Sequence, residues 1–172
     1  MTTICIDLLP ENALSIKYAH QGAHTDCYYI DIPKKVTLTQ YIEAFYTTPV
    51  FKIEHIILSI FAKKHVSNND ISALANGNSN QFSIWTVEDK SNNQILLCEF
   101  TKSTRSWLMT ASLEHLNQPV TRLYFGSVVV PRTVSSSGKS TFGILFHVFS
   151  GFHKLYSRAL LKSAFNALVK HK

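Results

Sequence analysis

A run of strand-like segments followed by one long amphipathic helix constrains this chain more than any other feature. Between Gln81 and Val130 four stretches alternate apolar and polar residues. Phe142 to Val169 then changes to helical spacing, with Leu145, Phe149, Phe152, Tyr156 and Leu160 in one stripe. Lys154, Arg158 and Lys162 follow at i, i+4 and i+8 on the opposite face. Near the end, Leu161, Phe165 and Leu168 drift onto another face. One strand and two helices precede the four strands. The order β-α-α-β-β-β-β-α predicts an α+β fold in which a curved antiparallel sheet wraps a long C-terminal helix, with room for a cavity between them.

Local signals support this order. His24 to Ile32 reads as a strand bounded by Gly22 and Pro33. Thr37 and Gln40 match a capping box, followed by Leu38, Tyr41, Ile42 and Phe45 on one helical face. Thr48-Pro49 restarts a second helix with Ile53, Ile56, Ile57, Ile60 and Phe61 on one side. Asp70 opens a short helix that ends at Asn76-Gly77. A two-residue turn at Lys102-Ser103 would set Phe100 against Arg105, Cys98 against Trp107 and Leu96 against Met109, all on one inner side. Val120 to Val130 is a long strand expected to be broken or bent at Gly126 and stopped by Pro131, and 133–140 reads as a linker. Residues 1–22 are the hardest to place. Thr3 to Leu8 suggests a short strand, cut off by Pro10. The whole of 1–172 is expected to form a single domain.

Charge is uneven. Residues 1–114 hold nine Lys/Arg and all eleven Asp/Glu, whereas 115–172 hold eight Lys/Arg and no acid. Such a basic third attracts phosphate, anionic lipid or nucleic acid, or simply solvates a helix face. The chain has no Arg-rich run or stacking motif of the RNA-binding kind, so nucleic acid is not expected as a partner. No apolar run reaches the ~20 residues of a membrane span, which leaves at most a weak membrane-surface contact through the C-terminal helix. Cys5, Cys27 and Cys98 are widely spaced and form no C-x-x-C pair, which argues for a reducing compartment and a cytoplasmic location. The N-terminus meets Asp7 and Glu11 early and does not read as a signal peptide.

No catalytic motif stands out. Gly138-Lys139-Ser140 lacks the leading glycine of a phosphate-binding loop, since Thr133 stands there. His24 and Cys27 have opposite strand parity, so no metal site is expected, and no cofactor is implied. A nucleophile built from Cys27 or Cys98 with His153 competes poorly with an apolar core role for each cysteine.

Order and local phrases together resemble the helix-grip fold of the START and polyketide-cyclase (SRPBCC) superfamily. HTDCYYIDIP at 24–33, AFYTTPVFKIEHIIL at 44–58, LLCEFTKSTRSWLM at 96–109, TRLYFGSVVVPR at 121–132 and GFHKLYSRALL at 151–161 also look like a bacterial family known as a domain of unknown function. The resemblance implies a sheet around the C-terminal helix, with an apolar ligand carried between them. It also implies more strands than the five that are clear, with Thr3–Leu8 or the 65–80 stretch supplying another.

Combined with the strand register, this points to a small apolar or amphipathic ligand. Trp107, Met109, Phe152 and Tyr156 would line its cavity, with Tyr124 and Asp26 as polar groups on or near inward faces. Arg105 would anchor an acidic head, taking Asp26 or Glu99 as its acceptor in the free protein. Two other readings follow from the same cavity. One is an enzyme that uses it for proton transfer or hydrolysis, with Asp26 as a base. The other is an interaction protein whose core is filled. Oligomeric state is not legible.

Overall fold

The structure is a computed structural model that describes residues 3–49, 68–113, 118–131, 133–134, 140–141 and 144–170, with side chains described outside 68 and 133–153. The second helix expected after Pro49 lies outside the described residues. So do the side chains of Leu145, Phe149 and Phe152.

Seven strands form one antiparallel sheet: β1 (Cys5–Ile6), β2 (His24–Ile32), β3 (Gln81–Phe82), β4 (Trp85–Lys90), β5 (Gln94–Glu99), β6 (Thr104–Ser112) and β7 (Thr121–Val129). The spatial order is β1-β2-β7-β6-β5-β4-β3, so the sheet is open. The chain leaves β2, crosses to the far edge, and returns by an unbroken meander until β7 pairs with β2. A separate ribbon pairs β8 (Thr133–Val134) with β9 (Ser140–Thr141), so the expected linker begins and ends as paired strands. Among the described residues the helices are α1 (Ile16–His20), α2 (Leu38–Tyr46), α3 (Asn68–Ala75) and α4 (Ile144–Lys170). Among the described residues no helix is long and apolar enough to cross a membrane.

The expected start and stop signals act as the physics requires. Thr37 Oγ1 accepts from Gln40 N–H at 3.2 Å and Gln40 Oε1 accepts from Thr37 N–H at 2.9 Å, which closes the capping box of α2. Gly77 ends α3 at φ +76, a left-handed conformation that lets Asn78 N–H reach back to Ala73 O.

Strand alternation sorts the sheet into two faces. On one, Ile95, Leu108, Phe125 and Tyr28 stand in a row across four neighbouring strands. The apolar sides of α2, α3 and α4 pack over this face. Phe45 of α2 meets Phe125 with ring centroids 4.9 Å apart, and the buried hydroxyl of Tyr41 donates to Tyr124 O at 3.0 Å. The C-terminal helix therefore packs on the sheet as the sequence predicts, over β2 and β7 and beside α2.

Its buried stripe differs in detail. Ser157, Leu160, Leu161, Ala164, Phe165 and Leu168 face inward, and Tyr156 is half-buried at the margin. Leu161, Phe165 and Leu168 thus belong to the main core rather than to a separate surface. At about 100° per residue the inward face rotates along the helix, and partners on both α2 and β2 broaden it. Lys154 and Arg158 are exposed as expected, whereas Lys162 is half-buried with its Nζ 4.8 Å from the Phe165 ring centroid.

The second face is covered too, which the sequence did not announce. Cys27, Leu96, Trp107, Met109 and Tyr124 pack under Ala13, with Leu9, Leu14, Ile16 and Tyr18 around it. The segment that was hard to place in 1–22 is this cover. Gln94 holds it: Leu14 N–H and Trp107 Nε1–H both donate to Gln94 Oε1, at 3.0 and 2.9 Å, and Gln94 Nε2 donates to Asn12 O at 2.9 Å. Gly126 does not break β7. It stays in register between Cys27 and Trp107, and a Cβ there would come 2.9 Å from Trp107 Cε3 and 2.6 Å from Asp26 O. Glycine at this position lets the indole ring lie close against the strand.

Candidate functional site

The residues expected to line one cavity divide between the two faces. Arg105, Trp107, Met109 and Tyr124 share the face under the N-terminal cover, while Asp26 and Tyr156 belong to the face under the helices. The β5–β6 connection explains part of the error. It spans Phe100 to Ser103, with Lys102 at φ +60, so Cys98 pairs with Arg105 and Leu96 with Trp107. The slip from the expected register is two residues. Because side chains alternate with period two, these residues still share a side, but that side is not the one carrying α4.

Arg105 is engaged by partners within the protein. Its Nε donates to Glu88 Oε2 at 3.1 Å, its Nη1 donates to Lys102 O, and its guanidinium stacks 4.6 Å from the Tyr18 ring centroid. Tyr18 OH also donates to Glu88 at 2.6 Å, and Lys17 Nζ lies 2.9 Å from the same carboxylate. Burial disfavours the Glu88 charge, yet the bonds from Tyr18, Lys17 and Arg105 outweigh it and hold its carboxyl below the ordinary glutamate range. This cluster locks α1 onto the sheet. The expected acceptors are elsewhere: Asp26 is on the other face, and Glu99 bonds Thr101 within its own turn. Glu88 escaped sequence reading because the ladder is irregular between Val87 and Asp89, which hides its parity.

Cys27 lies on the covered face, away from α4. Burial, with the Asp7 and Asp26 charges adding to it, pushes its thiol up to about 12, the direction that keeps a thiol protonated. Burial also raises the Cys98 thiol.

Beneath the helices the apolar face is interrupted by one polar row. Asp26, Ser127 and Ser106 stand opposite one another across β2, β7 and β6. Asp26 Oδ1 accepts from Ser127 N–H at 2.7 Å and from Ser127 Oγ at 2.8 Å. Ser106 Oγ lies 3.5 Å from Tyr46 OH, which α2 delivers from above. Ser106, Ser127 and Tyr46 are buried, and Asp26 is half-buried. On the inward side of α4, Ser157 is fully buried and its Oγ makes no hydrogen bond. An apolar sheet face seldom carries this much polarity without a use for it, because burying hydroxyls and a carboxylate is costly. Ser106 and Ser127 were legible in principle, as serines at the inward parity of strands otherwise carrying Leu108 and Phe125. Tyr46 was not, since only the packing of α2 brings it to Ser106.

A second concave feature lies outside this layer. A groove of ≈ 380 Å³ runs between α2, α3 and the end of α4, with Lys34, Gln40, Glu43, Ile71 and Leu168 in its walls. Lys34 Nζ donates to Leu168 O at 2.6 Å and so caps the last turn of α4. Among the described residues no group of three or more His, Cys, Asp or Glu is arranged to hold a metal ion.

Compared with family models, with curated proteins and with solved structures, the chain matches none.

Proposed function

We propose that this protein binds a small amphipathic molecule between the sheet and the C-terminal helix, its polar head on the Asp26–Ser127–Ser106–Tyr46 row. The observation that carries the reading is this row of polar groups under an otherwise apolar helix layer, with the orphan Ser157 hydroxyl on the helix above the sheet. A carboxylate and hydroxyls select a head that donates hydrogen bonds, an alcohol or an amine, rather than the acid that an Arg105 anchor would take. The open antiparallel sheet with α4 across it supports the resemblance to helix-grip proteins and the carriage of an apolar ligand that the resemblance implies.

Decanol, decylamine and decanoate should separate these readings in a dye-displacement titration. Decanol or decylamine should bind at least about tenfold tighter than decanoate, about the value of one charge-assisted hydrogen bond. Ser106→Leu should abolish that binding, whereas Arg105→Met should leave the order of affinities unchanged. Failure of all three probes to bind, or a preference for decanoate that disappears in Arg105→Met, would sink the reading. Native mass spectrometry of the purified protein would show whether such a molecule accompanies it.

An interaction protein with a filled core is the second reading. It is favoured by the dense packing of Phe45, Phe125 and Tyr28 and by a groove that opens outside the sheet–helix layer.

A further inference from the structure

The groove between α2, α3 and the last turn of α4 has chemistry of its own. Gln40, Glu43, Ala44 and Thr47 recur at helical spacing, so one flank of α2 forms its first wall. Ile71 of α3 and Leu168 of α4 are buried and add apolar lining, and Ser72 of α3 stands exposed at the rim. The C-terminal ends of two helices meet here, and each is the negative pole of a helix dipole. Lys34 serves the α4 end by donating to Leu168 O at 2.6 Å. The α2 end has no such cation. Its last turn contains no basic residue and holds Glu43, half-buried, whose carboxylate makes no hydrogen bond or ion pair with any described residue. A carboxylate at the negative pole of its own helix is unfavourably placed until a cation joins it. Thr47 adds an acceptor, because its Oγ1 donates its proton to Glu43 O at 2.6 Å and keeps its lone pairs. Ser72 Oγ supplies another from α3.

We infer that this groove binds a small organic cation, a guanidinium on a short aliphatic arm. Its N–H fork pairs with the Glu43 carboxylate, Thr47 and Ser72 accept from the remaining donors, and the arm lies along Ala44, Ile71 and Leu168. Charge complementarity selects the head. A carboxylate with both oxygens open, beside hydroxyl oxygens on two helices, suits a flat fork of donors better than a single donor. A guanidinium is weakly hydrated, so a groove of this kind need strip little water from it. An anionic ligand would face Glu43, and Lys34 is already engaged by Leu168 O. The apolar lining rewards the methylene arm, and ≈ 380 Å³ falls at the lower end of small-molecule sites. The groove is separate from the Asp26–Ser127–Ser106–Tyr46 row, so either site can fail alone.

Isothermal titration calorimetry of the full chain with butylguanidinium, pentanol and pentanoate tests this assignment. Butylguanidinium should bind at least about tenfold tighter than pentanol, and pentanoate should not bind. Glu43→Gln keeps the shape and removes the charge, and should weaken butylguanidinium at least about tenfold. Glu43→Lys supplies the cation from the chain itself and should abolish binding. Neither variant should lower the melting temperature, because the carboxylate has no partner to lose and a cation suits the last turn of α2. Ser106→Leu should leave the butylguanidinium affinity unchanged. Absence of binding at about 10 mM probe, equal binding of the alcohol, or full binding by Glu43→Gln overturns the proposal. Binding lost in Ser106→Leu and kept in Glu43→Gln also overturns it, by moving the cation to the sheet–helix layer. Tighter binding of a blocked arginine peptide than of butylguanidinium would give the groove to a protein's arginine and overturn the small-molecule assignment.

Discussion

The two faces of the sheet are built by different means. The helix face is wide, is contributed by five of the strands and three helices, and holds together through interlocked aromatic and aliphatic packing. The opposite face is narrow, and a short N-terminal cover closes it. Gln94 and the Glu88–Arg105–Tyr18–Lys17 cluster fix that cover at two points. Within that broad apolar layer the Asp26–Ser127–Ser106 row is the polar exception. A small layer cannot rely on area alone and uses directional bonds instead. The combination of arginine, tryptophan, methionine and tyrosine that looks like a binding site in sequence is here the fastening of the smaller layer.

If this contrast is right, the largest effect comes from the helix face. Phe45→Ala should cost about 3–5 kcal/mol in a denaturant titration, the usual range for deleting a buried phenyl ring. A loss under about 1 kcal/mol would mean that the face is looser than its packing indicates.

Arg105→Met comes next, at about 1–3 kcal/mol, because it removes a charged hydrogen bond from Glu88 and leaves that carboxylate with Tyr18 and Lys17 alone. Hydrogen exchange should show the loss concentrated in 9–20, with α2 and α4 still protected. The same cluster sets a pH dependence. The folded Glu88 carboxyl lies below its unfolded value of about 4.3, so its stabilisation is complete above that pH and is lost as pH falls through the folded value. Glu88→Gln should flatten that acid limb, and an unchanged acid limb would remove Glu88 from the fastening.

Gly126→Ala tests the point where the faces meet. The new methyl would press on Asp26 O from one side and on the Trp107 ring from the other, and the backbone contact cannot swing away. About 1–3 kcal/mol should be lost, with near-ultraviolet circular dichroism reporting a displaced indole. The smallest effect is expected at Arg158→Gln on the outer flank of α4, under about 0.5 kcal/mol by thermal melting. A larger loss there would make Arg158 part of the fold.

Much of the architecture could be read from local pattern. β2 spans the expected 24–32, the Thr37–Gln40 box closes as its spacing requires, and Asn76-Gly77 stops α3. These features depend on neighbours within a few residues, where backbone hydrogen bonding and side-chain period leave few options. The site was much less legible. Parity showed that Arg105, Trp107 and Met109 share a face, and that holds. It carried no information on which cover each face would receive, and α4 and the N-terminal segment are both apolar enough to cover either.

Sequence alone therefore determined the element order, the strand alternation, the helix caps and the packing of a C-terminal helix on an antiparallel sheet, because each follows from short-range periodicity and the need to bury an apolar stripe. Tertiary structure alone decided that Glu88 rather than Asp26 or Glu99 would meet Arg105, that Tyr46 would meet Ser106, and that residues 9–18 would close the second face. Those pairings join residues from 17 to more than 90 positions apart. Their partners are chosen by strand order and layer assignment, which are properties of the whole packed chain rather than of any segment in it.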